Sequence, residues 1–252
     1  MNFEPTLVDQ VADQGSPAAQ PLDFAIAQAC EAVTHNLNGQ RLGRKGRETR
    51  ERIIHAAIRL LETRGTEPFA LASIAREASL GMSSLYNYFN DASELMIAAL
   101  EPVMATADAD YMEVIRDYWP DDTVHEKCAE FWNTYLEFWH RHAALLHQRN
   151  QMSDAGDDRM LRHRFEAVFP LLQRIQLQLG LNDGTEPDEL IRSTAAVLIT
   201  GIEWTMTVQT KPNYQEMLSA AGAQLRYDMV NASSRLLELA IRDSRRSLRE
   251  VR

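Results

Sequence analysis

From Arg47 onward the apolar residues of this chain recur every three or four positions, and no stretch of its 252 residues sustains the period-two alternation of a half-buried strand. An all-α fold class follows. Ile53, Ile54, Ala57, Leu60 and Leu61 fall on one face of a first helix, which Gly65 ends, with Pro68 in the connection. A second, short helix is predicted from Leu71 to Ala78, with Leu71, Ile74, Ala75 and Ala78 inward. Ser79-Leu80-Gly81 interrupts it, and a third runs from Met82 to Phe89 with Leu85, Tyr86 and Phe89 three and four apart. Asn90-Asp91 then breaks the chain and caps a fourth helix that begins near Ala92 and carries Leu95, Met96 and Leu100.

The remainder also reads as helices. One starts near Asp122-Thr123 and reaches about Asn150, with a break near His142; another spans Asp154 to Gly180, where Pro170 should kink or divide it. Thr185 caps a helix with Pro187 in its first turn that runs to about Gln209, and Asn213 caps a last helix extending to about Arg242. Ahead of all these, residues 1–40 read as an acidic flexible tail. Phe24 to Val33 carries too few apolar residues to commit to a helix.

The composition is that of a soluble globular protein, 45% hydrophobic and 25% charged, and excludes a disordered, collagen-like or disulfide-scaffold chain. Cys30 and Cys128 are expected as reduced thiols. The N-terminus lacks a secretory pattern and the longest apolar run, Ala195 to Ile202, is too short for a bilayer, so a cytoplasmic location without membrane contact is expected. A net charge of −10 taken alone argues against nucleic acid. Its distribution argues otherwise: residues 1–40 hold five acids and no Lys or Arg, whereas residues 41–64 hold eight cationic residues against three acids.

Two short helices joined by a three-residue turn containing Gly, buttressed by the helix before them, make a helix-turn-helix. The second is short enough for its N-terminal end to enter the major groove while its apolar face stays on the core. The residues are more particular than that: Ile53 through Leu61, Gly65, Phe69, Ile74-Ala75, Ala78, then the run Ser83-Ser84-Leu85-Tyr86-Asn87-Tyr88-Phe89, followed by Leu95. On these, residues 47–97 resemble the TetR family of transcriptional regulators, whose most recognisable feature is a Leu-Tyr-x-Tyr-Phe ending after a pair of small residues. Three places depart from its pattern. Ala70 stands where Ser or Thr is usual, removing an N-cap hydroxyl; Ser79 and Gly81 stand where Gly and Ser are usual; Ala92 replaces a Lys that contacts the DNA backbone.

The resemblance implies a three-helix DNA-binding domain over residues 41–92 and a larger helical ligand-binding and dimerisation domain over residues 93–252. It makes the third helix the recognition helix, with Met82, Ser83, Ser84, Asn87 and Tyr88 exposed to DNA and Leu71 on the helix before it. Asn87 can read adenine bidentately and Ser84 a base edge or phosphate. The Tyr86 hydroxyl would reach a phosphate, while Phe89 reads as core packing. Arg41, Arg44, Lys45 and Arg47 would form an arm that touches phosphates or the minor groove.

In the following part, Phe131, Trp132, Tyr135, Phe138 and Trp139 form an aromatic face on one helix, for which core packing is the plainer reading. With Trp119, Phe165, Phe169 and Trp204 they could instead line an apolar effector cavity, supplied with polar groups by Asn133, Gln148, Glu203 and Thr207. Ala195, Ala196, Thr200 and Gly201 permit close helix approach. Met217, Ala220, Ala221, Leu225, Met229, Leu236, Leu237 and Ile241 give the last helix an apolar stripe. Together the last two helices would pair across a two-fold axis and present the recognition helices to a palindromic operator.

No catalytic or cofactor motif is present. His125, Cys128, His140, His142 and His147 lie near one another in sequence, but His140 and His142 point to different faces of a helix, so no metal site and no enzyme are expected. The alternative to a repressor is an all-helical ligand-binding or interaction protein with weak or no specific DNA binding.

Overall fold

The computed structural model describes residues 19–64, 69–180, 188–211, 213–214 and 229–250. These form α1 (Ala19–Ala32), α2 (Arg44–Arg64), α3 (Leu71–Glu77), α4 (Met82–Leu85), α5 (Ala92–Thr106), a 3-10 turn (Ala107–Ala109), α6 (Tyr111–Val114), α7 (Val124–Asp154), α8 (Asp158–Gln178), α9 (Glu189–Gln209) and α10 (Met229–Glu250). The all-α reading holds. One β pairing occurs among the described residues, an antiparallel bridge between His35 and Arg41.

The tail reading fails from residue 19 on. α1 packs on α2 and α5 and buries Ile26 and Cys30 completely. Because α1 covers a second side of α2, that helix buries Ala56 and Ile58 in addition to the predicted Ile53, Ile54 and Ala57. Removing residues 1–40 would therefore open the core as well as removing acidic charge.

α3 has no side-chain cap at Ala70. It closes after Ala78 with a 3.0 Å bond from Ser79 N to Arg76 O and a 2.8 Å bond from Leu80 N to Ala75 O. That closure puts Ser79 at φ 54°, the left-handed region where a Cβ is disfavoured. Ser79→Gly is accordingly expected to stabilise the protein by about 1 kcal/mol, seen as a raised urea midpoint at unchanged slope.

α4 is shorter than predicted. After Leu85 the chain tightens to three-residue bonds, Asn87 N to Ser84 O and Tyr88 N to Leu85 O, yet Phe89 still reaches the core with no exposed surface. Asp91 caps α5 by accepting from Glu94 N, and the Glu94 carboxylate reaches back to accept from Asn90 N, so two donors at the start of the helix are satisfied. Leu95, Met96, Ala99, Leu100 and Val103 of α5 are all buried, and α5 touches α1 and α2 on one side and α7 and α8 on the other.

α7 breaks at His142 (φ −116°, ψ 17°), where the sequence predicted it. Asp154 ends α7 instead of opening the next helix; Asp157 caps α8 by accepting from Arg159 N and Met160 N. α8 runs through Pro170 undivided. Thr185 and Pro187 lie outside the described residues, and α9 is capped by Asp188, which accepts from Leu190 N. Met217 to Leu225 also lie outside them, and α10 continues past Arg242 to Glu250. Buried Arg245 ties α10 to the end of α8 and to the loop before α7, donating to Gln178 O at 2.9 Å and Trp119 O at 2.8 Å.

Two histidines are held neutral. Burial, with the Arg141 charge adding to it, pushes His142 down to about 4; burial, then Arg149, pushes His163 down to about 4. His142 Nε2 and His163 Nδ1 have no hydrogen-bond partner among the described residues. A histidine depressed in the fold takes its proton only on unfolding, so stability is lost as pH falls from about 6.5 toward 4. The unfolding free energy from urea titrations should drop between pH 7 and pH 5 by roughly 1–2 kcal/mol for each histidine, and His142→Phe should flatten the fall.

Candidate functional site

The predicted DNA side chains gather at one end of the molecule. Ser83 and Ser84 are exposed, Tyr86 is 49% exposed, and Asn87 and Tyr88 are half-buried. Met82 and Leu71 are half-buried and pack on the core, so only part of either is presented. Arg41, Arg44 and Lys45 are exposed at the start of α2, with Arg44 3.5 Å from Glu48. Arg47 is half-buried and its Nε has no partner among the described residues.

Three of the remaining arginines of the cationic segment are held by the protein itself. Arg50 donates to Tyr88 O and stacks 4.4 Å from the Phe89 ring centroid, so it holds the chain that follows α4. Arg52 donates to Ala78 O at the end of α3, and Arg59 pairs with Glu77 at 3.3 Å. These arginines brace the helix-turn-helix from α2; residue counts could show their charge but not this role.

A feature the sequence reading missed lies against α4. Residues 34–42 form a short hairpin: Asn36 N donates to Gln40 O, Leu42 N to Thr34 O, and Gly39 N to Asn36 O. Gly39 at φ 74° supplies the left-handed position after the turn. Leu37 N donates to Asn87 O at 3.0 Å, and Asn38 Nδ2 donates to Asn87 Oδ1 at 2.8 Å. The Asn38-Gly39 pair was the available signal.

In the second half, Trp119, Phe131, Trp132, Tyr135, Phe138 and Trp139 are all buried. Tyr111 joins them, with ring centroids 4.5 Å from Tyr135 and 5.0 Å from Phe138. These rings pack on one another, and the cavity they leave is about 10 Å³, room for one water. Phe165 (68% exposed), Phe169 (56%) and Trp204 (65%) do not join them. They lie on the outer faces of α8 and α9, so for these three the cavity reading is corrected.

The cavity's polar edge is a buried charge pair. Arg149, 2% exposed, lies 3.8 Å from Glu203 and donates twice to Asn150 Oδ1 at 3.1 Å. Glu203 accepts from the Tyr135 hydroxyl and from Arg164 Nε, each at 3.3 Å. Burial lowers the Arg149 affinity for its proton, opposed by the Glu203 charge; burial and then Glu203 push the Tyr135 and Tyr111 hydroxyls well up. Of the other expected polar groups, Thr207 accepts from Asn150, Asn133 is exposed and bonds its own helix, and Gln148 lines a separate cleft of about 310 Å³ between α2 and α7.

The faces of α9 and α10 divide differently from the prediction. Ala195 is buried inside the subunit, as are Leu237 and Ile241, whereas Ala196, Thr200 and Gly201 are exposed. Val197 (72%), Trp204 and Leu236 (62%) point outward. A groove of about 250 Å³ runs among Trp132, Val197, Gly201 and Leu236, and the buried Trp132 Nε1 has no partner among the described residues. His125 pairs with Glu238, His147 contacts Thr210, and Cys30 and Cys128 are free and buried. Among the described residues no group of three or more ligands could hold a metal, and no helix is long and apolar enough to cross a membrane.

Residues 53–99 match the family profile described as bacterial regulatory proteins, tetR family. An HTH-type transcriptional regulator of Staphylococcus aureus (strain bovine RF122 / ET3-1) is 29% identical over 100 residues, 40% of this chain and 52% of that protein. A second, from strain MRSA252, is 27% identical over 114 residues, 45% of this chain and 58% of that protein. The chain thus spans about half the length of the curated relatives it matches. A crystal structure of a TetR family transcription regulator from Marinobacter aquaeolei VT8 superposes with a TM-score of 0.51 at 13% identity, covering 78% of this chain and 97% of that one. That last likeness is one of fold.

Proposed function

The chain belongs to the TetR family of bacterial regulatory proteins, and we propose that it is a cytoplasmic, ligand-responsive homodimer, acting as a repressor that leaves a palindromic operator when a small apolar or aromatic molecule binds its C-terminal half. The observation that carries the DNA-binding part is the exposed Ser83, Ser84 and Tyr86 face of α4, flanked by exposed Arg41, Arg44 and Lys45. The effector part rests on the buried Arg149–Glu203 pair set among aromatic rings beside α5. A site of about 10 Å³ must open to admit a ligand, and parting α8 from α7 would move α5, the helix in contact with both halves. Outward Val197, Trp204 and Leu236 support pairing through α9 and α10.

A gel-shift on DNA upstream of the protein's own gene tests the reading. A retarded band that an aromatic compound from a broad panel releases supports it. No band at low salt supports instead an interaction protein without specific DNA binding. Arg44→Ala should weaken binding to every duplex alike and flatten the salt dependence by about one unit for each phosphate that the side chain no longer neutralises. An unchanged slope would remove Arg44 from the interface.

A further inference from the structure

We propose that the hairpin at residues 34–42 is a second DNA-reading element, clamped beside the recognition helix, and that Asn38 limits what Asn87 can read. The inference rests on the DNA-binding reading above and adds to it a segment outside the matched residues 53–99.

Three observations carry it. The hairpin is anchored to the turn that closes the reading helix: Leu37 N donates to the Asn87 carbonyl and Asn38 Nδ2 to the Asn87 side-chain oxygen. It is internally fixed, since the Asn36 side chain accepts from Asn38 N at 3.0 Å and Gln40 N at 2.9 Å and donates to Gln40 Oε1. Its exposed side chains suit a groove, for Asn38 and Gln40 are amides that each keep one polar end beyond these bonds, and Arg41, the next residue, is an exposed cation. A two-stranded ribbon fits a major groove as a helix does, and the tip, one hydrogen bond from Asn87, enters the groove that α4 enters.

The chemistry of the amide pair then narrows what Asn87 reads. Bidentate adenine recognition needs its oxygen to accept from the base N6 and its NH2 to donate to N7. Asn38 already donates to one of the two lone pairs of that oxygen, which hinders the bidentate adenine pairing and leaves the Asn87 NH2 unconstrained by this bond. Asn87 therefore presents a donor, which suits base acceptors such as guanine O6 and N7 or thymine O4. Asn38 keeps its own amide oxygen as an acceptor alongside.

The test is selection from a random duplex pool by the full-length protein, by Asn38→Ala and by Asn38→Asp. The wild type should enrich a motif with one position per half-site favouring an acceptor. Asn38→Ala should lose about tenfold of the preference at that position and leave the others. Asn38→Asp can only accept, so it should turn the Asn87 NH2 inward and move the preference toward adenine or cytosine, whose amino groups donate. Both substitutions leave the Leu37–Asn87 backbone anchor in place. Identical motifs from all three proteins would overturn the hairpin's role while leaving DNA reading intact. A wild type that enriches no motif would overturn both.

Discussion

Glu203→Leu is expected to destabilise the protein by about 3–5 kcal/mol, lowering its melting temperature by roughly 10 °C. The cost comes from what is left behind. Arg149 is 2% exposed, and without Glu203 its charge would keep only the Asn150 side chain. The surrounding Tyr135, Phe138 and Trp139 cannot solvate a cation as water does. Arg164 fares better, because it is half-buried and already lies 3.5 Å from Asp154. The double replacement Arg149→Met with Glu203→Leu should recover most of the stability, since a buried ion pair adds little over well-packed apolar groups. Thermal melts of the two variants separate the cases. The double variant should fold, bind DNA and fail to respond to any effector that uses the charged pair. If both variants melted with the wild type, Arg149 would not be sealed in the fold.

If the chain pairs through α9 and α10 as proposed, Trp204→Glu is expected to leave it a monomer and to weaken operator binding by about 10²–10⁴-fold, the gain that joining two half-site contacts supplies. Trp204 is 65% exposed on the outer face of α9, one turn from Gly201 and two from Val197. With Leu236 beside them on α10, Val197 and Trp204 make an exposed apolar patch of the kind that marks an interface. A carboxylate there would face its symmetry mate or be buried without a partner. Sedimentation velocity at micromolar concentration reads the outcome directly. Phe165→Glu, on the outer face of α8 and away from the α9–α10 pairing, should remain a dimer. A monomeric wild type would overturn the pairing.

The helix-turn-helix was legible because its core obeys a short-range rule. Ile53, Ile54 and Ala57, then Ile74, Ala75 and Ala78, then Leu85 and Phe89 are all buried at the spacings read from the chain. The break at His142 was legible too. What escaped depended on partners distant in sequence. α1 hides two side chains, Ile26 and Cys30, whose burial comes from α2 and α5, so its own pattern is faint. The hairpin is a single bridge long and offers no alternation to find. Arg50 and Arg52 counted only as charge in the cationic segment 41–64, yet each donates to a backbone carbonyl. The aromatic face of α7 was correctly seen as one face, but periodicity tells which side is buried, not whether the space beside it is filled. Here it is filled, down to about 10 Å³.

A dimer of this chain that reads DNA through α4 would leave a dyad-related footprint. Hydroxyl-radical footprinting on the DNA upstream of its own gene, at physiological salt with excess nonspecific duplex, tests this most directly. The expected result is two protected half-sites, related by a dyad and about one helical turn apart, at nanomolar protein, with protection abolished by Asn87→Ala combined with Ser84→Ala. Uniform protection that competitor DNA removes, or none at all, would contradict it.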